Sequence, residues 1–204
     1  VLAGDLLTLY FFWEWLTVGS LVLIWFGRTP GAWAAGYRYL MFHLAGAVVM
    51  LTGILLHLGS GGGGAFVQLP IGPAASWLIL GGMMVNAAVL PLHAWLPDAY
   101  PRASVYGTVF LAAFTTKAAV YALVRGFPGV EALVWLGVAM TIFGVVYAVL
   151  ENDIRRLLSY HIVSQVGYMV TGVGLGSALA LNGTSAHAFA HIFYKGLLMM
   201  SAGA

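Results

Sequence analysis

Three charged side chains stand inside long apolar runs: Glu14 within Tyr10–Leu16, Lys117 within Phe114–Ala119, and Lys195 near the end of the chain. A charge at membrane depth is costly, so it pairs, faces a bundle interior or lines a hydrated path, and it marks proton or cation handling. Glu14 lies about halfway along its run and reads as a proton or cation carrier; the competing reading is a structural ion pair between two helices. Lys117 is equally deep, too far from either end to snorkel. An ammonium in such a place serves as a relay station, or else pairs statically with Glu14.

Further along, His187, His191 and Lys195 are spaced i, i+4, i+8 and therefore share one helical stripe. Neighbours at this spacing are about 6 Å apart, a gap that one bridging water can span for proton transfer. Two histidines and a lysine without a carboxylate or thiol make a poor ligand set, so no metal is expected there. His161 opens a second polar stripe, with Gln165 and Tyr168 following at i+4 and i+7. Imidazole carries protons in either direction near neutral pH, although a lone helical histidine also serves as a hydrogen-bonded core residue. His93 belongs to a proline-flanked turn, Leu90 to Ala99, and is read as half structural. His43 and His57 are placed near helix ends and receive no function. Asp153, Arg155 and Arg156 are read as a solvated loop.

These groups need a scaffold, and the composition names its class. Hydrophobic residues make up 62% of the 204 and charged residues 7%, with a mean hydropathy of +0.96, against roughly 25% charged in soluble domains. An all-α, polytopic transmembrane bundle follows, since helices satisfy their own backbone in lipid and no alternating barrel pattern is visible. The absence of cysteine excludes thiolate-held metals, iron–sulfur clusters and disulfides. With a net charge of +2 and scattered basic residues, nucleic acid is not expected as a partner. No cofactor is expected either.

Seven apolar runs fall at about 1–26, 39–58, 74–96, 103–126, 131–150, 157–181 and 185–204. Short connections make consecutive helices antiparallel. The third run contains Pro91, five residues after Asn86, and is expected to break there and to line an internal hydrated path with Asn86, Pro91 and His93. Arg28, Arg38, Arg102, Arg155 and Arg156 are expected on one side and Arg125 on the other, which makes the first side cytoplasmic. Trp33, Trp77, Trp95 and Trp135 are expected at the interfaces. Both ends lie in or against apolar helices without an initiator methionine or polar tail, so the chain reads as an excerpt of a longer polypeptide.

Four ordered motifs resemble one family. The run Leu90 to Ala99, the loop Asn152 to Tyr160, the run Ser164 to Tyr168, and His187 to Lys195 are similar to the antiporter-like subunits of respiratory complex I, Mrp-type Na⁺/H⁺ antiporters and membrane-bound hydrogenases. The resemblance covers nearly the whole chain, from the family's fifth helix to about its eleventh. It implies part of an inverted-repeat transporter fold, with most of the first repeat in 1–181 and the truncated start of the next helix in 182–204. It also implies that Glu14 is the acidic member of a glutamate–lysine pair, that Lys117 is a connecting lysine, and that His187, His191 and Lys195 lie on a central polar axis. One position departs from the pattern: Asn86 stands where the family usually has a lysine, and asparagine does not titrate. Either Lys117 becomes the partner of Glu14, or the first half-channel is inactive and the subunit is a scaffold.

The function expected is a proton-translocating subunit of a multi-subunit cation/proton antiporter of the Mrp type. A proton-pumping membrane-arm subunit of an NADH:quinone oxidoreductase or a membrane-bound hydrogenase is the alternative. Other integral membrane subunits, the bilayer, protons and in one case Na⁺ are the expected partners, in a prokaryotic plasma membrane.

Overall fold

The computed structural model describes residues 2–203, so Val1 and Ala204, the outer limits of the first and last expected runs, lie outside the described residues. Eight α-helices follow one another: α1 Leu6–Trp25, α2 Ala32–Gly59, α3 Ala74–Asn86, α4 Trp95–Ala99, α5 Val105–Gly126, α6 Glu131–Leu150, α7 Ile154–Leu175 and α8 Ala178–Ser201. A 3-10 turn at Tyr100–Arg102 joins α4 to α5. Helices α1, α2, α5 and α6 are long and apolar enough to cross a membrane. The others reach the same bundle with polar stripes (α7, α8) or in pieces (α3 and α4). The expected all-α bundle of about seven helices, one of them broken, is the observed architecture.

Three boundaries differ from the sequence expectation. Helix α2 starts at Ala32, seven residues before the expected start, because Gly31 supplies the left-handed turn (φ 82°) that lets the chain enter the helix directly from the Arg28–Pro30 bend. The turn between α7 and α8 lies at Gly176–Ser177, where Gly176 ends α7 at φ 65° and Ser177 caps α8 by accepting from the Ala180 amide. Asn182 and Gly183, expected as the breaker, are inside α8. The third run unwinds after Asn86, not at Pro91 itself. A proline lacks the N–H for the carbonyl four residues back and collides with it, so Pro91 frees the backbone from Ala87 onward.

Helices α6 and α7 approach until backbone touches backbone. Gly137 and Gly144 on α6 face Gly167, Thr171 and Ser164 on α7, and Gly174 on α7 faces Val134 on α6. A Cβ on Gly144 would sit 2.5 Å from the Ser164 amide nitrogen. Small residues seven apart on both helices thus remove the side-chain layer from the seam, as in membrane helix pairs generally. Gly53 and Gly82 do the same between α2 and α3, against Ala75, Ile79 and Met50. Large apolar side chains such as Phe11, Trp15, Trp135 and Val149 are left exposed on the outer faces. Trp33, Trp77 and Trp135 are exposed near the starts of α2, α3 and α6, whereas Trp95 is 1% exposed and donates its indole N–H to the Val85 carbonyl. It plugs the break in the third run, whose freed carbonyls need donors.

The basic residues gather at one end. Arg38 and Arg102 both pair with Asp98, and Arg156 pairs with Glu151. At the opposite end Arg125 donates to the Ala3 carbonyl and lies over the Phe66 ring. The solvated reading of the Asp153 loop holds for Arg156, which is half exposed, but not for Arg155. Its guanidinium donates to the Ala103 carbonyl at 2.8 Å and to Thr108 Oγ1 at 2.6 Å, which ties the start of α7 to the start of α5. Asp153 accepts from the Arg156 amide as the N-cap of α7. Bonds from a charged donor are worth about 1.5–3 kcal/mol. Arg155→Ala is therefore expected to destabilise the protein by about 2 kcal/mol, read as a lowered melting temperature in detergent, with Arg155→Lys recovering part of the loss.

Candidate functional site

The titratable side chains of α5, α7 and α8 converge inside the bundle. Ser177 and Asp153 cap α8 and α7 at opposite ends, so the two helices run antiparallel, bringing residue 161 opposite 195 and residue 168 opposite 187. Lys195 is fully buried, and its Nζ lies 3.0 Å from His161 Nδ1. One turn along, Tyr194 OH donates to Gln165 Oε1 at 3.0 Å. At the other end of the stripe, the rings of His187 and Tyr168 are 6.5 Å apart. Both sequence stripes thus face each other across the α7–α8 seam.

His191 is the hub. It is fully buried, its ring centre lies 6.1 Å from that of His187 and 4.9 Å from Tyr194, and both its nitrogens lack a protein partner. Lys117, Lys195, His187 and His161 all lie within electrostatic reach of it. Lys117, His191 and Lys195 are buried and His161 and His187 half-buried, and none forms an ion pair with an acid among the described residues, so protonating all five together would be costly. The cluster is therefore able to hold only a fraction of its possible protons, and each added proton displaces another.

Lys117 joins the cluster from α5. It is 7% exposed, and its Nζ donates to the Ala112 carbonyl at 2.9 Å and to Thr116 Oγ1 at 3.1 Å. It makes no ion pair with Glu14 among the described residues, so the static pairing weighed as the competing reading is not formed. The ammonium is held within α5 by the bonds to Ala112 and Thr116, and it lies within electrostatic reach of Lys195, His187 and His191 on α8. An open apolar groove of about 920 Å³ between α1, α5 and α8 runs past Lys117, walled by Phe12, Trp13, Phe114 and Phe189. Glu14 is half-buried on α1, with Oε1 buried and lacking a protein partner.

At the break, Asn86 is buried with its Nδ2 unpartnered, Pro91 is exposed, and His93 is half-buried against the edge of Phe143 at 4.5 Å. His93 does not reach the α7–α8 cluster. It meets an aromatic stack of Phe143, Tyr147 and Tyr160 instead. Sequence reasoning missed Tyr194, which bonds Gln165 across the α7–α8 seam, and Thr116, which accepts from the adjacent Lys117. It also misplaced His43, which is near the middle of α2 and 2% exposed. The early start of α2 is what moved it inward. No group of three or more metal-ligating side chains occurs among the described residues.

Residues 3–204 match the family described as NADH:quinone oxidoreductase/Mrp antiporter, TM. NADH-quinone oxidoreductase subunit N of Desulforudis audaxviator is 34% identical, over 98% of this chain and 44% of the relative. Among solved structures, the Mrp complex from Dietzia sp. DQ12-45-1b contains a chain that superposes with a TM-score of 0.91 at 29% identity, over 99% of this chain and 41% of its own. Respiratory complex I from Thermus thermophilus gives 0.85 at 26% identity, over 98% and 47%. The chain spans a little under half the length of these relatives. The resemblance read from the four motifs is borne out: this chain belongs to the NADH:quinone oxidoreductase/Mrp antiporter transmembrane family of antiporter-like membrane subunits.

Proposed function

We propose that the chain is the proton-translocating part of a membrane subunit in a multi-subunit cation/proton antiporter of the Mrp type. Protons pass among Glu14, Lys117, His161, His187, His191 and Lys195, with Asn86, Pro91 and His93 at the break of the third run. The observation that carries this reading is the 3.0 Å contact between Lys195 Nζ and His161 Nδ1, made in the interior of the bundle with Lys195 fully buried. A proton moves along that line from the ammonium to the imidazole nitrogen, while His191 and His187 extend the path to within reach of Lys117. In this reading residues 1–181 hold most of the first inverted repeat, the arginine-rich end faces the cytoplasm of a prokaryotic cell, and other membrane subunits surround the outer faces.

The superposition on the Mrp complex favours antiport. The identity with a quinone oxidoreductase subunit favours a second reading, a proton-pumping subunit in the membrane arm of a redox complex. Inverted vesicles containing the full complex distinguish the two. Antiport predicts that added Na⁺ releases a preformed pH gradient, whereas the redox reading predicts a gradient built only by an electron donor. In either assay Lys117→Ala is expected to abolish transport while the complex still assembles. Unchanged transport would remove Lys117 from the path.

A further inference from the structure

One deeply buried histidine lies outside the α5–α7–α8 cluster among the described residues. His43, 2% exposed in α2, bonds through Nδ1 to the Tyr39 carbonyl at 2.9 Å. With Nδ1–H as the donor to that carbonyl, Nε2 is the acceptor nitrogen, and it is buried with no protein partner. The ring is gripped on two sides, stacked on Tyr39 with centres 3.9 Å apart and edge-on to Trp95 at 4.6 Å. Trp95 in turn donates to the Val85 carbonyl, in the last turn of α3 before the chain unwinds. Packing therefore holds His43 beside the break while leaving one nitrogen open. A purely structural histidine gains nothing from a buried nitrogen left without a partner.

Its surroundings share that trait. Tyr39 OH, Asn86 Nδ2 and Glu14 Oε1 are likewise buried without protein partners, and the carboxylate of Glu14 acts electrostatically on Tyr39. These four atoms lie on α1, α2 and α3, on helices other than the α7–α8 pair. The titratable groups that face His43 are Tyr39 on its own helix and, through Tyr39, Glu14 on α1 and Tyr100 on the 3-10 turn. From α4 comes Trp95, which packs on the ring, and from α3 Val85, whose carbonyl accepts from Trp95; neither titrates, and no charged side chain bears on the ring directly among the described residues.

We propose that His43 is a proton-holding station on the Glu14 side of the bundle, taking at Nε2 the proton that Glu14 releases and handing it on toward the break at Asn86. Water bonded to the Tyr39 hydroxyl links the two groups. The Nε2–H bond forms as the Glu14 O–H bond breaks, and it breaks in turn as the proton passes to water at the break beside Asn86, which itself takes no proton, while Nδ1 keeps its bond to the Tyr39 carbonyl. This rests on the proton-transport reading above and adds a residue to it.

His43→Asn in the full complex, assayed in inverted vesicles, separates this role from packing. The asparagine amide places an N–H where Nδ1–H stands, which keeps the bond to Tyr39 and removes the Nε2 site. Transport is expected to fall about tenfold or more with assembly intact, and His43→Gln, equally unable to titrate, is expected to do the same. Wild-type transport in either variant overturns the proposal. A second measurement needs no variant: in bilayers, solid-state NMR of the ¹⁵N-labelled wild-type protein is expected to show magnetisation transfer between water and His43 Nε2, and a dry Nε2 overturns the proposal even where the variants fail to assemble. Lys117→Ala, run in parallel, keeps the two ideas apart. Transport lost in Lys117→Ala but retained in His43→Asn removes the station and leaves the reading standing, whereas transport retained in both removes the reading itself.

Discussion

Lys195→Met is expected to reduce proton transport by at least tenfold, with the complex still assembled. Methionine fills nearly the volume of the lysine stem but holds no proton and gives His161 no donor, so the 3.0 Å transfer between α8 and α7 disappears. A proton crossing from His191 to His161 would then need an uninterrupted water chain through a fully buried site. Every 1.36 kcal/mol added to that barrier costs about tenfold in rate. Lys195→Arg makes the argument specific. Guanidinium preserves the positive charge and its hydrogen bonds, yet it does not release a proton under working conditions. A relay station fails with arginine almost as fully as with methionine, whereas a fixed structural charge tolerates arginine and fails only with methionine. Proton flux in vesicles, normalised to assembled complex, reads the difference, and transport retained in Lys195→Arg would assign Lys195 a structural part.

Gly144→Val is expected to cause the largest loss of stability, about 3 kcal/mol and at the upper end for overpacking. The reason is what the new Cβ meets. It falls on the Ser164 amide nitrogen at 2.5 Å and on Ser164 Cα at 2.8 Å, which are backbone atoms that cannot rotate away. The helices must separate, and the three glycine contacts at Gly137, Gly167 and Gly174 along the same seam open with them. Helix α7 also carries His161, three residues before Ser164, so the separation shifts that imidazole relative to Lys195. A drop in melting temperature in detergent, together with lost transport, is the expected pair of results. Gly183→Val is the control: a Cβ there meets nothing within 4 Å, and neither quantity should move.

What the sequence by itself determined is the class of the molecule and the membership of its main site. Composition required a helical membrane bundle, because an apolar chain of this kind must satisfy its backbone internally. The i, i+4, i+8 spacing of His187, His191 and Lys195 was sufficient to put them on one stripe, since helical periodicity is a local property. The i, i+4 relation between His161 and Gln165 was legible for the same reason. Short-range signals failed where capping competed with composition: Gly31, Gly176 and Ser177 set helix ends that Asn182 and Gly183 only imitated. Only the tertiary structure decided which stripes meet. It bonded Lys117 within α5 instead of to Glu14, set Lys195 against His161 across the α7–α8 seam, and moved His43 from a supposed helix end into the interior. It also recruited Arg155 from a loop into a bond between α5 and α7. Such pairings depend on the relative rotation and depth of helices far apart in sequence, and these are settled by the glycine seams and by where each helix begins.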